Sequence, residues 1–127
     1  MPRQWSETTR DSRLEGVINV STKITGTEID TSGYRNGYLL IDFAAVTGTP
    51  TVIQFFLETK SSTGNWHKAG ATFWQDLEYE DTVMTSQLLV HFPFYIPGKK
   101  IRFSLQATGA DGSNFFTINL FEIQMGT

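Results

Sequence analysis

The stretch TGTPTVIQFFLETKSSTGNWHKAG, Thr47 to Gly70, decides the fold. After Pro50 the apolar residues Ile53, Phe55 and Leu57 recur at every second position, the period of a strand with one face in a core. Gln54, Glu58 and Lys60 dominate the opposite face, interrupted by Val52 and Phe56. SSTGN then reads as a turn, with Gly64-Asn65 supplying the positive-φ residues of a tight hairpin, so Trp66 opens a returning strand.

The same grammar extends both ways. In KKIRFSLQATG, Ile101, Phe103, Leu105 and Ala107 face inward while Arg102, Ser104, Gln106 and Thr108 face outward. FFTINLFEIQM carries Phe116, Ile118 and Leu120 on one parity and Phe121, Ile123 and Met125 on the other, which predicts a bulge near Leu120 or Phe121. SGYRNGYLLIDFAAVTG has a turn signal at Asn36-Gly37, followed by Leu39, Ile41, Phe43 and Ala45 on one face. Val17, Ile18, Val20, Ile24 and Ile29 lie among Ser, Thr and Gly as short strands. A further strand is expected from Val83 to Phe92, stopped by Pro93 because proline cannot donate to a central ladder. No window holds a helical 3.6-residue apolar repeat.

Composition agrees with this pattern. The 127 residues are one domain's worth and can bury a core without staples. Ten Phe, eleven Gly and seventeen Thr suit pleated strands and their turns. The expected fold is all-β, an antiparallel β-sandwich of jelly-roll type with eight or nine strands. Residues 1–14, polar and without either period, are expected to form an extended N-terminal arm, with residues 15–127 as the sandwich. Deleting the arm is then expected to leave the domain folded.

Several functions are disfavoured by the residues present. A net charge of -3 offers no basic footprint for nucleic acid. The absence of cysteine removes disulfides, thiolate metal sites and a cysteine nucleophile. His67 and His91 lie in separate strands without HxH or HExxH spacing, so no metal is expected. No nucleophile elbow accompanies the Ser, His and Asp residues, and the reading is of a protein that is not an enzyme and needs no cofactor. Asp76, Glu78, Glu80 and Asp81, and the loop Asp111 to Asn114, do not match calcium-loop spacing and read as solvated hairpin ends. Asn19-Val20-Ser21 fits a glycosylation acceptor, but no apolar leader is seen, so the triplet reads as chance. No run reaches membrane-spanning length. Trp66, Trp74 and Tyr79, close in sequence, fit the stacking aromatics of a carbohydrate-binding module; capping of the core is the competing and favoured role for the two tryptophans.

The run VTGTPTVIQFFLETKSSTGNWHKAG, Val46 to Gly70, resembles a pattern recurrent in small virion proteins of tailed bacteriophages, and KKIRFSLQATGADGSNFFTINL looks like the closing hairpin of the same sandwich. The resemblance is to capsid decoration (cement) proteins. It implies a structural virion protein on the capsid exterior, made in the host cytoplasm, that bridges subunits of a major capsid protein as a homo-oligomer, a trimer or alternatively a dimer. A tail, collar or fibre-base protein of the same fold is the alternative within that class. Such proteins often lay an N-terminal arm on a neighbour. This makes Trp5 an expected anchor, Arg3, Arg10 and Arg13 expected contacts to an acidic shell, and Phe56 and Trp66 a further partner-binding margin.

Overall fold

The computed structural model describes residues 5–70, 74, 77–80 and 88–127, with side chains described from residue 7 onward. Two antiparallel sheets pack face to face. Sheet A runs β1 (Trp5–Arg10), β11 (Phe116–Gly126), β5 (Asn36–Phe43), β9 (Leu88–Tyr95), and β2 (Gly16–Ile18) also pairs with β11. Sheet B runs β3 (Ile24–Thr25), β10 (Lys100–Thr108), β6 (Val52–Lys60), β7 (Trp66–Lys68). There β4 (Ile29–Asp30) pairs with β10 and β8 (Leu77–Glu80) with β6.

Short segments divide the length of a long neighbour between them. β1 takes Glu122 to Gly126 of β11 and β2 takes Phe116 to Ile118. β4 and β3 share β10 in the same manner, and β7 and β8 share β6. Among the described residues the eleven segments therefore fill four positions per sheet, the four-on-four arrangement of a jelly-roll-like β-sandwich.

The alternation read from the sequence builds the core. Leu39, Ile41 and Phe43 of β5 face Ile53, Phe55 and Leu57 of β6, and Ile101, Phe103, Leu105 and Ala107 of β10 complete the inner layer of sheet B, all with no exposed surface. Rings cross between the layers: Phe43 to Phe55 at 5.8 Å, Phe103 to Phe121 at 5.5 Å and Phe94 to Phe103 at 5.3 Å between centroids. Offset and edge contacts of this kind suit the aromatic quadrupole. Ala45, assigned to the same face as Phe43, lies past the end of β5 and is exposed.

The bulge falls where the parity switch places it. The β11–β5 register breaks between Ile118 and Leu120. Near this break the Phe121 N–H donates to Glu15 Oε2 at 2.9 Å, and Arg10 donates to both Glu15 at 2.6 Å and the Asn119 carbonyl at 3.3 Å. Backbone groups beside the irregularity thus find side-chain partners supplied from the N-terminal segment.

This segment corrects the expectation of an arm. Residues 5–10 form β1, paired with β11, and a single 3-10 turn, Ser12–Leu14, follows. Leu14 is fully buried, and buried Asp11 accepts from Thr27 N at 2.9 Å and Thr27 Oγ1 at 3.1 Å, tying β1 to the link between β3 and β4. The sequence lacks a period here because an edge strand with exposed Glu7, Thr8 and Arg10 is held by backbone pairing.

Three local expectations are also corrected. Asn36-Gly37 is the start of β5; the chain reverses earlier, where Tyr34 N donates to the Thr31 carbonyl at 3.1 Å. Gly37 is required for packing, since a Cβ there would overlap the Cζ edge of the Phe94 ring. The β6–β7 turn uses positive φ at Gly64 alone, with Ser61 N donating to the Asn65 carbonyl at 2.8 Å. The strand expected to end at Phe92 continues through Pro93 to Tyr95, while residues 83–87 lie outside the described residues. Pro93 is accommodated because β9 pairs only with β5 among the described strands, so the missing donor faces an open edge.

Candidate functional site

The outer face of sheet B is built from the residues that alternation turns away from the core. β6 contributes Gln54, Phe56, Glu58 and Lys60, and β10 contributes Lys100, Arg102, Ser104 and Gln106. Antiparallel register sets them in rows. Lys68 lies opposite Glu58 and Glu58 opposite Arg102; Phe56 lies opposite Ser104; Glu78 lies opposite Gln54 and Gln54 opposite Gln106. Successive rows are two residues apart, about 7 Å along the strands.

A groove of about 240 Å³ opens among Lys23, Phe56, Glu58, Lys68 and Gln106. Phe56 forms an apolar floor. The ammonium of Lys23 stands 5.8 Å from its ring centroid and that of Lys68 5.6 Å, both within cation–π range. Gln106 Nε2 donates to the Ser21 carbonyl at 3.3 Å, which fixes the amide. Two rows from Phe56, opposite Lys60, Trp66 is covered by the Arg102 guanidinium at 4.3 Å, with Lys60 at 5.7 Å.

Glu58 organises this face. Although it points away from the core, it is only 7% exposed, and Ser104 beside it is wholly buried. Its carboxylate accepts from Ser104 Oγ at 2.6 Å, Arg102 Nε at 3.1 Å and Lys23 Nζ at 3.2 Å. Burial pushes the Glu58 carboxyl upward, but the hydrogen bonds from Ser104, Arg102 and Lys23 outweigh it and hold the group below the ordinary glutamate value. Paired cations shield it, and Lys23, from the link between β2 and β3, is thereby tied to the sheet beside Phe56.

At the end of the face, Lys60 donates to Glu28 at 3.0 Å, and Lys100 lies 3.7 Å from Glu28 and 3.9 Å from Asp30. The Lys60 hydrogen bond holds the exposed Glu28 carboxyl below its ordinary value.

Phe56 and Trp66, expected from the sequence as a partner-binding margin, are therefore brought together on one face. The other expected contacts are not. Arg3 lies outside the described residues, and of Trp5 only the backbone, in β1, is described. Arg10 is engaged within its own chain at Glu15 and Asn119, and Arg13 is exposed at the 3-10 turn on another part of the molecule.

The proposed trio of stacking aromatics is dispersed. Trp74 is 3% exposed, donates to the Phe55 carbonyl at 3.3 Å and packs on Phe92, Phe94 and Phe103. Tyr79 packs on Phe43 and Phe55, and burial raises its hydroxyl above the ordinary tyrosine value. Both serve the core, and only Trp66 reaches the outer face.

His67 is on β7 of sheet B and His91 on β9 of sheet A, where it bonds Tyr38. Asp111 Oδ1 is occupied by its own loop, accepting from Ser113 N at 2.8 Å and Asn114 N at 2.9 Å, which lowers its affinity for protons. Asp76 and Asp81 lie outside the described residues, whereas Glu78 and Glu80 are exposed on β8. Among the described residues no group of three or more His, Cys, Asp or Glu is placed to hold a metal.

Sequence reasoning missed Glu58 as the centre of this face, along with Lys23, Lys68 and Gln106. Outward parity was visible for Glu58, Ser104 and Gln106. Their assembly depended on the β6–β10 register, which no local pattern specifies.

No protein-family model matches the chain, and no curated protein matches it. Solved structures do. The CBM22-1 xylan-binding domain of Xyn10C from Paenibacillus barcinonensis superposes with a TM-score of 0.53 at 11% identity, over 98% of this chain and 96% of that one. TmCBM61, solved in complex with β-1,4-galactotriose, gives a TM-score of 0.51 at 9% identity, over 92% of this chain and 86% of that one. At such identities the likeness is one of fold: the β-sandwich.

Proposed function

We propose that this chain is a non-catalytic carbohydrate-binding domain whose site is the outer face of sheet B. The observation that carries the reading is the groove over Phe56, an aromatic floor with an amide and charged groups at its walls. A pyranose presents a C–H face that stacks on an aromatic ring and a rim of hydroxyls that needs fixed donors and acceptors. Gln106, Glu58 and Lys23 supply such groups, held by the bonds described above. The volume suits one sugar unit and the groove is open at its sides, so a chain can pass over it toward Trp66. Use of the same sandwich by a xylan-binding domain and by a galactotriose-binding module supports the reading at the level of fold.

The test is affinity electrophoresis and calorimetry against a panel of soluble polysaccharides. Retardation by at least one glycan, abolished in Phe56→Ala while the thermal midpoint stays within a few degrees, is the expected result. Lack of retardation by every glycan removes the reading.

A second reading keeps the virion role implied by the resemblance of Val46 to Gly70: a decoration protein bridging major capsid subunits, itself oligomeric. One feature favours it. Leu89 and Tyr95 are 51% and 59% exposed along β9, which has an open edge among the described strands, and apolar area at an edge suits a subunit contact. Stoichiometric binding to undecorated heads, lost in Leu89→Asp, is the expected result under this reading.

A further inference from the structure

We infer that the outer face of sheet B takes a run of about three consecutive pyranose units, laid from Phe56 to Trp66, in preference to a mono- or disaccharide. The inference deepens the carbohydrate reading and rests on it. It is carried by the register: Phe56 and Lys60 are four residues apart on β6, and Trp66 lies opposite Lys60 on the adjoining strand β7.

Four residues of strand span about 14 Å, and the step to the next strand adds about 5 Å sideways. A pyranose is a six-membered ring of single bonds each about 1.5 Å long, which sets its glycosidic oxygens about 5 Å apart. No single sugar meets both aromatic residues, and about three laid end to end cover the interval.

One network fixes both ends of this interval. Glu58, in the row between them, accepts from Lys23 and from Arg102, and Ser104 holds the same carboxylate at 2.6 Å. Lys23 in turn stands 5.8 Å from the Phe56 centroid and Arg102 4.3 Å from that of Trp66. Both rings are thus referred to a single, nearly buried carboxylate, and a ligand touching both meets a spacing set in advance, which lowers the ordering cost of binding. Arg102 spends one of its five N–H donors on Glu58, through Nε, and its side chain is 23% exposed. Its terminal nitrogens therefore present donors to the hydroxyls of a sugar seated over the middle row. At Trp66, itself half-buried, the ligand meets indole and guanidinium together, an apolar plane with donors at its side.

Charges along this path are paired: Lys23 and Arg102 with Glu58, and Lys60 with Glu28. Recognition then depends on stacking and on hydrogen bonds to hydroxyls. Each is weak alone, but a second aromatic contact made by the same chain acts at high effective concentration. The run extends one way from Phe56. In the other direction the next row is Glu78, Gln54 and Gln106, none of them aromatic, with Gln54 donating to Glu78.

The full chain would be titrated by calorimetry with xylo-, cello- and β-1,4-galacto-oligosaccharides from monosaccharide to hexasaccharide, and the parent polymers run in affinity electrophoresis. Expected, in at least one series, is a gain in affinity of at least about tenfold from disaccharide to tetrasaccharide and a plateau beyond it. Trp66→Ala should remove this gain while leaving the disaccharide affinity within about twofold, whereas Phe56→Ala should weaken binding at every length. Circular dichroism and thermal melts confirm that both variants are folded; should Phe56→Ala fail to fold, the wild-type length series and Trp66→Ala decide. Equal affinity for disaccharide and hexasaccharide, or a loss in Trp66→Ala that is the same at every length, overturns this inference and leaves the carbohydrate reading standing. Retention by a polymer when no oligosaccharide binds does the same. Silence against every oligosaccharide and every polymer overturns both.

Discussion

Removing the carboxylate of Glu58 should destabilise the sandwich even though this side chain lies on the outside of a sheet. In Glu58→Ala the Ser104 hydroxyl, wholly buried, loses its acceptor at 2.6 Å. Leaving a buried polar group unsatisfied costs about 1–3 kcal/mol. The two ion pairs add less, because Lys23 is 43% and Arg102 23% exposed along their side chains, and solvent-screened pairs contribute about 0.2–1 kcal/mol each. The sum is about 1.4–5 kcal/mol. An unfolding entropy of about 2.1 cal/mol/K per residue over 127 residues gives about 0.27 kcal/mol/K, so the thermal midpoint should fall by about 5–19 °C. Glu58→Gln keeps an acceptor for Ser104 and should lose only about 1 kcal/mol at neutral pH.

The pH dependence has a definite sign. The folded carboxyl lies below its ordinary value of 4.5, so its contribution is complete above that value and is lost as pH falls through the depressed folded value. The stability gap between wild type and Glu58→Gln should therefore be constant at neutral pH and close progressively as pH falls below the ordinary value of 4.5. Calorimetric melts of wild type, Glu58→Ala, Ser104→Ala and the double variant across that range provide the assay. A midpoint loss in Glu58→Ala under about 3 °C, or strictly additive losses in the double variant, would refute the claim that a buried Ser104–Glu58 bond supports this face.

Gly37→Ala should cost about 1–3 kcal/mol in urea unfolding, because the Phe94 ring that lies over Gly37 is packed by Trp74 and Phe103 and has little room to retreat. Deleting residues 1–14 should abolish cooperative melting, since it removes Leu14, Asp11 and the β1 partner of Glu122 to Gly126; a truncated chain with an unchanged midpoint would show β1 to be dispensable. Pro93→Val restores an N–H to the open edge of β9 and should leave stability within about 1 kcal/mol while promoting self-association visible by light scattering. Trp66→Ala should weaken glycan binding without altering the melt by more than about 1 kcal/mol, whereas Trp74→Phe should do the reverse.

Much of the fold was legible because strand alternation is a local signal. Ile53, Phe55 and Leu57, and Ile101 through Ala107, announce their inner faces within one segment, and the parity switch in Phe116 to Met125 announces the bulge. Residues 5–14 gave no such signal, since an edge strand held by backbone bonds leaves its side chains with no period to keep. Pro93 misled for a related reason: a proline forbids a central position, not an edge, and which strand is an edge is a property of the sheet. Trp66, Trp74 and Tyr79 are neighbours in sequence but are divided between outer surface and core.

The sequence by itself determined that this chain is an antiparallel β-sandwich, and it marked Phe56 as an interruption of a polar face and Phe56 with Trp66 as its less polar margin. That much follows from side-chain period and turn chemistry, which act over a few residues. Only the tertiary structure decided what these residues belong to. Pairing β6 with β10 sets Glu58 beside Arg102 and Ser104, and the link between β2 and β3 carries Lys23 across to them from thirty-five positions away. Register and loop path are properties of the assembled sheet, whose long-range backbone pairing no local pattern encodes.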